Sequence, residues 1–135
     1  MPTLAYRDEG TSYHYKEPSD YITIRNAGLV ESVLKEQGVR TITGRIWTTD
    51  GLYRETRGNM EKRKAEGCLA VDMECAALQA VCDFRGCELY QFVYAEDSLA
   101  GEDGKWQPRN MGKITGDAIE GHLALALAIA KRISD

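Results

Sequence analysis

Residues 68–84 read CLAVDMECAALQAVCDF. Cys68-Leu69-Ala70-Val71 is a short continuous apolar run, the pattern of a buried strand. From Asp72 the period changes. Met73, Ala76, Ala77, Ala80, Val81 and Phe84 recur at helical spacing, which predicts a helix with that set as its core face. Two acids, Asp72 and Glu74, flank Met73 at the handover. Carboxylates at the mouth of a core helix are either caps or ligand-holding groups, and the pattern alone leaves both readings open.

Downstream, CELYQFVYAED (residues 87–97) predicts a second buried strand. Strand, helix and strand make a crossover unit, which is right-handed almost without exception. Both strands then end at the same edge of the sheet, the carboxyl edge at which open α/β sheets bind ligands. Glu74 and Asp97 are therefore expected at one cleft. Glu74 lies where the positive end of the helix dipole favours an ionised acid, able to accept from two neighbouring hydroxyls such as those of a ribose. Asp97 follows apolar and aromatic residues, surroundings in which a carboxylic acid can keep its proton and give it to a leaving group. The competing reading makes Asp97 a turn residue.

Upstream, TLAYRDEG predicts a short strand and TSYHYKEPSDY a tyrosine-rich loop punctuated by Pro18. RNAGLVESVLKEQG predicts a helix with Leu29, Val30, Val33 and Leu34 on one face and Gly38 at its C-terminal stop. VRTITGRIWTTDG is rich in β-branched residues and predicts a strand ending in a turn. YRETRGNMEKRKAEG predicts a solvated helix. SLAGEDGKWQPRNMG reads as a loop before a last helix that begins near Asp117, with Glu120 placed as in a capping box. Its expected core face is Ile119, Leu123, Ala126, Leu127, Ala130 and Ile133. Alternating strands and helices predict a single α/β layered domain over residues 1–135.

The formal net charge of -4 supplies no basic footprint, which argues against a nucleic-acid surface. No apolar run approaches the length of a bilayer span, and MPTLAYRDEG lacks a signal-peptide pattern, so no membrane partner and a cytoplasmic location are expected. Cys68, Cys75, Cys82 and Cys87 match no CxxC knuckle, and no metal site is expected. They read as small buried hydrophobes kept reduced. His122 reads as a core or interface histidine, and His14, between two tyrosines, carries little.

At AVDMECAA the chain resembles the nucleoside phosphorylase superfamily, which contains purine nucleoside phosphorylases, uridine phosphorylases and methylthioadenosine/S-adenosylhomocysteine nucleosidases. The acid-Met-Glu-x-Ala segment is similar to that family's ribose-binding motif. YRDEGTSYHY resembles the stretch leading into its base-side loop, TTDGLY the turn whose aromatic pair lines the nucleoside pocket, and YAEDSL the place of the catalytic aspartate in hexameric purine phosphorylases. The resemblance runs over essentially the whole chain. It implies a three-layer α/β/α fold with a mixed central sheet.

Carried over, it implies that Asp72, Met73 and Glu74 form the ribose site, with Glu74 accepting from the hydroxyls and Asp72 standing where the family often has glutamate. It implies that Asp97 protonates a purine at N7, with Arg109 near the position of an assisting arginine. Leu52 and Tyr53 match the base-pocket pair, leucine replacing the usual phenylalanine. The Gln-x-Arg pair that reads uracil does not follow Tyr53, which tilts the expectation towards purines. The implied reaction is phosphorolysis of a nucleoside to free base and ribose 1-phosphate, with inorganic phosphate as co-substrate and no cofactor. The alternatives are a uridine phosphorylase, a nucleosidase that uses water, and a remnant that binds nucleoside or serves in assembly.

The family's usual chain is nearly twice as long. What this chain resembles is its C-terminal half, while the glycine-containing phosphate loop belongs to the N-terminal half. Gly101 and Gly104 lie in an acidic loop, the wrong charge for an anion. A half-sheet exposes an edge and an apolar face. A homo-oligomer is therefore expected, or a separate chain that supplies the N-terminal half.

Overall fold

The computed structural model of the chain describes residues 1–99, 105–108 and 116–134. Four strands, β1 (Pro2–Asp8), β2 (Tyr21–Thr23), β3 (Gly44–Thr49) and β4 (Cys68–Asp72), form one mixed sheet in the order β2-β1-β3-β4. β1, β3 and β4 are parallel and β2 is antiparallel to β1. The helices are α1 (Ala27–Glu36), α2 (Arg57–Ala65), α3 (Cys75–Arg85) and α4 (Gly116–Ser134).

The strand register sorts side chains onto two faces. Ala5, Ile22 and Ile46 stand in line across the sheet and pack against Cys75, Ala76 and Ala80 of α3. Burying an isoleucine such as Ile46 stabilises the fold by roughly 1.5–3 kcal/mol. On the opposite face Tyr6 and Tyr21 meet edge to face at 5.3 Å, and the Arg63 guanidinium of α2 lies 3.6 Å from the Tyr6 ring centre. Helix, sheet and helix are thus three layers, the α/β/α architecture expected. A second cluster joins α1 to α4 through Val30, Val33, Leu34 and Ile129.

The helix at residues 27–36, the strands at 44–49 and 68–72 and the charged helix at 57–65 form where local pattern predicts them. Gly38, at φ 76, turns the chain out of α1. Elsewhere tertiary structure overrides local pattern. Tyr21–Thr23 pairs with β1 although it follows a proline-containing loop, because Ile22 fills the core and Tyr21 finds Tyr6. Residues 87–97 form no ladder among the described residues. Tyr90 and Phe92 pack on the α1–α4 cluster, and Gln91 bonds to the Cys75 thiol.

Both core-face expectations also change. In α3 the buried stripe is Cys75, Ala76, Gln79 and Ala80, while Met73 and Phe84 are exposed. Gln79 is 0% exposed, and both ends of its amide are paired: Oε1 accepts from Arg25 N at 3.0 Å and Nε2 donates to Asp83 Oδ1 at 2.8 Å. A polar residue at the centre of a buried stripe is invisible to apolar spacing. In α4, Leu125, Ala128 and Ile129 face α1, and Ile119, Leu123 and Leu127 are exposed. That helix carries apolar residues on both sides, and only contact selects one. Cys68 and Cys75 are buried as expected, whereas Cys82 is half-buried and Cys87 exposed. Among the described residues no helix is long and apolar enough to cross a membrane.

Candidate active site

Because β1, β3 and β4 run parallel, their carboxyl ends share one edge, with Asp8 beside Thr49 and Thr48 beside Asp72. From this edge project the Glu9-Gly10 turn, the Asp50–Arg54 turn and the Met73-Glu74 handover.

Asp72 closes β4 and starts α3. Its Oδ1 accepts from Thr48 Oγ1 at 2.8 Å, and its Oδ2 accepts from the amides of Glu74 and Cys75 at 3.1 and 2.6 Å. Thr48 Oγ1 in turn accepts from Ala76 N at 3.1 Å. Three of the first amides of α3, which have no partner within a helix, are satisfied this way. Burial pushes the Asp72 carboxyl up from its ordinary range and the Glu74 charge adds to this, while the bonds from Thr48, Cys75 and Glu74 pull against it. With Asp72 committed to the cap, Glu74 occupies the N-cap position itself at φ -127. Its side chain and that of Met73 are exposed at the positive end of the helix.

The turn after β3 is a 3-10 element, Leu52–Arg54. Asp50 Oδ2 accepts from Gly10 N at 2.9 Å, and Asn59 Nδ2 donates to Arg54 O at 2.8 Å, so the turn is held from both sides. Leu52 is exposed, and Tyr53 is 96% exposed. Glu55, next in the chain, is half-buried; burial pushes its carboxyl up and the nearby Asp97 charge pushes the same way. Asp97 therefore lies within electrostatic range of Glu55, the residue that follows the Leu52–Arg54 turn.

Asp97 is half-buried, and its Oδ2 accepts from Trp106 Nε1 at 2.6 Å. Ser98 and Gln107 exchange two backbone hydrogen bonds, 2.9 and 2.8 Å, which bring Trp106 back over Asp97. β3 therefore serves the edge in two places: Thr48 pins Asp72 ahead of Met73 and Glu74, and the turn beyond Thr49 carries Leu52 and Tyr53. Arg109 lies outside the described residues.

Three contributors escaped sequence reasoning. Thr48 is one of several threonines in a β-branched run, and nothing local marks it as the partner of Asp72. Trp106 offers an indole donor, but its acceptor is set by the Ser98–Gln107 pairing. Arg7, 2% exposed, holds the loop after β1 from below: it donates to Ser12 Oγ and Glu17 O, both at 2.8 Å, and lies 4.1 Å from the Tyr13 ring centre. Asp8 is likewise engaged, accepting from Trp47 Nε1 at 2.9 Å. Among the described residues no group of three or more His, Cys, Asp and Glu side chains is arranged to hold a metal ion. Asp8, Asp50, Asp72 and Asp97 all accept from protein donors, which leaves the exposed Glu74 as an acceptor turned to solvent.

A family model described as "Phosphorylase superfamily" matches residues 1–131. The fold is similar to the crystal structure of AMP nucleosidase from Bacteroides thetaiotaomicron VPI-5482, with a TM-score of 0.69 and 22% sequence identity. That match covers 98% of this chain and 51% of the other, so the chain spans about half the length of the solved relative. No curated protein sequence matches the chain.

Proposed function

The chain belongs to the phosphorylase superfamily, and from that membership we propose that it acts on the N-glycosidic bond of a purine nucleoside, releasing free base and ribose 1-phosphate. The observation that carries this reading is the exposed Glu74 carboxylate, presented at the helix mouth because Asp72 takes the cap, with the Leu52–Arg54 turn at the end of the neighbouring strand and Asp97 in electrostatic range of Glu55 just beyond it.

Breaking the glycosidic bond leaves positive charge on the sugar and sends the bonding electrons to the base. Glu74 accepts from the ribose hydroxyls and Met73 packs against the sugar, so the ring is held while its charge develops. Asp97 delivers a proton to purine N7 and the base leaves neutral. A phosphate oxygen forms the new bond to C1′. Leu52 and Tyr53 contact the base, and Arg109 assists Asp97. Asp72 positions Glu74 rather than the sugar directly.

The same reading makes the chain a homo-oligomer at work in the cytoplasm. The apolar stripe of Ile119, Leu123 and Leu127 and the exposed Leu69 on the edge strand β4 support assembly. A strictly monomeric species by light scattering across micromolar concentrations counts against that part.

The test is base release from inosine, adenosine, methylthioadenosine and uridine, with and without phosphate. Phosphate-dependent release from the purine nucleosides, lost in Asp97→Asn, is expected. Release that ignores phosphate makes water the nucleophile, and binding without release in every assembly state overturns the catalytic reading.

A further inference from the structure

Cys82 and Cys87 bracket the C-terminal end of α3. Gly86 is left-handed, at φ 66 and ψ 28, and turns the chain back on the helix. Gly86 N donates to Asp83 O at 3.3 Å and Cys87 N donates to Cys82 O at 2.9 Å. These are the paired 5→2 and 6→1 bonds of a Schellman ending, in which the residues flanking the longer bond commonly touch through their side chains.

The covalent lengths fix how far apart these two cysteines can be. A carbonyl on one side and an N–Cα bond on the other of a 2.9 Å N···O contact leave the Cα atoms no more than about 6.8 Å apart. A disulfide spans Cα separations of roughly 4.4–6.8 Å. Cys87 is exposed and Cys82 half-buried, so a small reagent reaches the first directly. Cys68 and Cys75 are buried away from reagents, and burial pushes both thiols up; the Cys82 thiol is pushed up as well, by burial and then by Cys87 and Asp83, so the exposed Cys87 is the point of first attack.

We infer that Cys82 and Cys87 are an oxidisable pair that a low-molecular-weight disulfide converts to an intrachain bridge across the end of α3. Cys87 loses its proton, and its thiolate attacks one sulfur of the reagent RSSR. A Cys87–SR bond forms, the reagent's S–S bond breaks, and one thiolate leaves. Cys82 then loses its proton and attacks the Cys87 sulfur, forming the protein disulfide and expelling the second thiolate. The two cysteines give up two electrons and two protons, and the reagent departs as two RSH. The bridge ties α3, whose N-cap residue is Glu74, to the segment that ends at Asp97.

The test treats the full chain with mixtures of glutathione disulfide and glutathione, followed by intact-mass measurement and peptide mapping after alkylation. A product about 2 Da lighter than the reduced chain, with residues 82 and 87 in one cross-linked peptide, is expected. Cys82→Ser should stop at a glutathione adduct on Cys87, and Cys87→Ser should give neither adduct nor bridge. Cys82→Ala serves as the second variant if the serine perturbs folding. A wild-type chain that accumulates only the Cys87 adduct, bridges other cysteines or does not react overturns the inference.

Discussion

Thr48 and Asp72 lie side by side on neighbouring parallel strands, and Thr48 Oγ1 donates to Asp72 Oδ1 at 2.8 Å while accepting from Ala76 N at 3.1 Å. One hydroxyl thereby joins β3, β4 and α3 at the edge where the candidate site stands. Thr48→Val keeps the shape but leaves the Ala76 amide and Asp72 Oδ1 short of a partner in buried surroundings. It is expected to cost about 1–3 kcal/mol, read by urea unfolding, and to speed hydrogen exchange at Ala76. Unchanged exchange there would show that the hydroxyl does not hold the helix start.

Glu74 separates function from stability. Its side chain is exposed, so Glu74→Gln should shift unfolding by less than about 0.5 kcal/mol. Loss of a charged acceptor for the ribose hydroxyls should lower kcat/KM for a purine nucleoside about 10- to 100-fold. Steady-state kinetics on a variant with wild-type melting behaviour checks both halves.

Trp106 should act through Asp97. Trp106→Phe keeps an aromatic ring but removes the indole N–H that meets Asp97 Oδ2 at 2.6 Å. A fall in kcat of about tenfold, smaller than the roughly 10²–10⁴-fold loss in Asp97→Asn, is expected. Equal losses in the two variants would mean that Trp106 is more than a positioning residue.

Asp83 ties α3 to two other segments: it meets Lys16 Nζ at 2.5 Å, Gln79 Nε2 at 2.8 Å and the Arg25 guanidinium. Burial pushes its carboxyl up, but Lys16, Gln79 and Arg25 outweigh that and hold it below its ordinary range. A depressed acid contributes stability that is complete above the unfolded-state pKa and lost as pH falls through the folded value. Asp83→Asn should therefore cost about 1–2 kcal/mol near neutrality, the lower figure if its half-exposed cations are well screened. The gap to wild type should close on acidification in a pH series of unfolding curves.

The two faces of α4 should answer differently. Ile129, buried against α1, should cost about 2–4 kcal/mol on truncation to alanine. Leu127→Gln, at a position 61% exposed, should leave dilute unfolding within about 0.5 kcal/mol. It should lower the assembly state in light scattering if the exposed stripe is an interface. Unaltered mass in that variant would move the interface elsewhere.

Much of the fold was legible because its cues are local. The change of period at Asp72, the β-branched run before Thr49 and the Gly38 stop each depend on residues within one or two turns of one another. The place of Asp72 and Glu74 was legible for the same reason, since acids following a buried strand stand at its end in any α/β arrangement. The faces of α3 and α4 were not. Both helices carry apolar residues on more than one side, and Gln79 is buried only because Arg25 and Asp83 satisfy it. Residues 87–97 read as a strand, but whether such a segment joins a ladder depends on what lies beside it.

The sequence by itself determined the family, most of the elements and the pair of acids that follows β4. Only the tertiary structure decided what each acid does there. Asp72 and Glu74 are two residues apart and chemically alike, yet one is a cap and the other faces outward. The choice rests on Thr48, 24 positions away in the chain and brought alongside by the pairing of β3 with β4. Strand register is a non-local property, because every residue on a strand has the same local geometry whichever neighbour it meets.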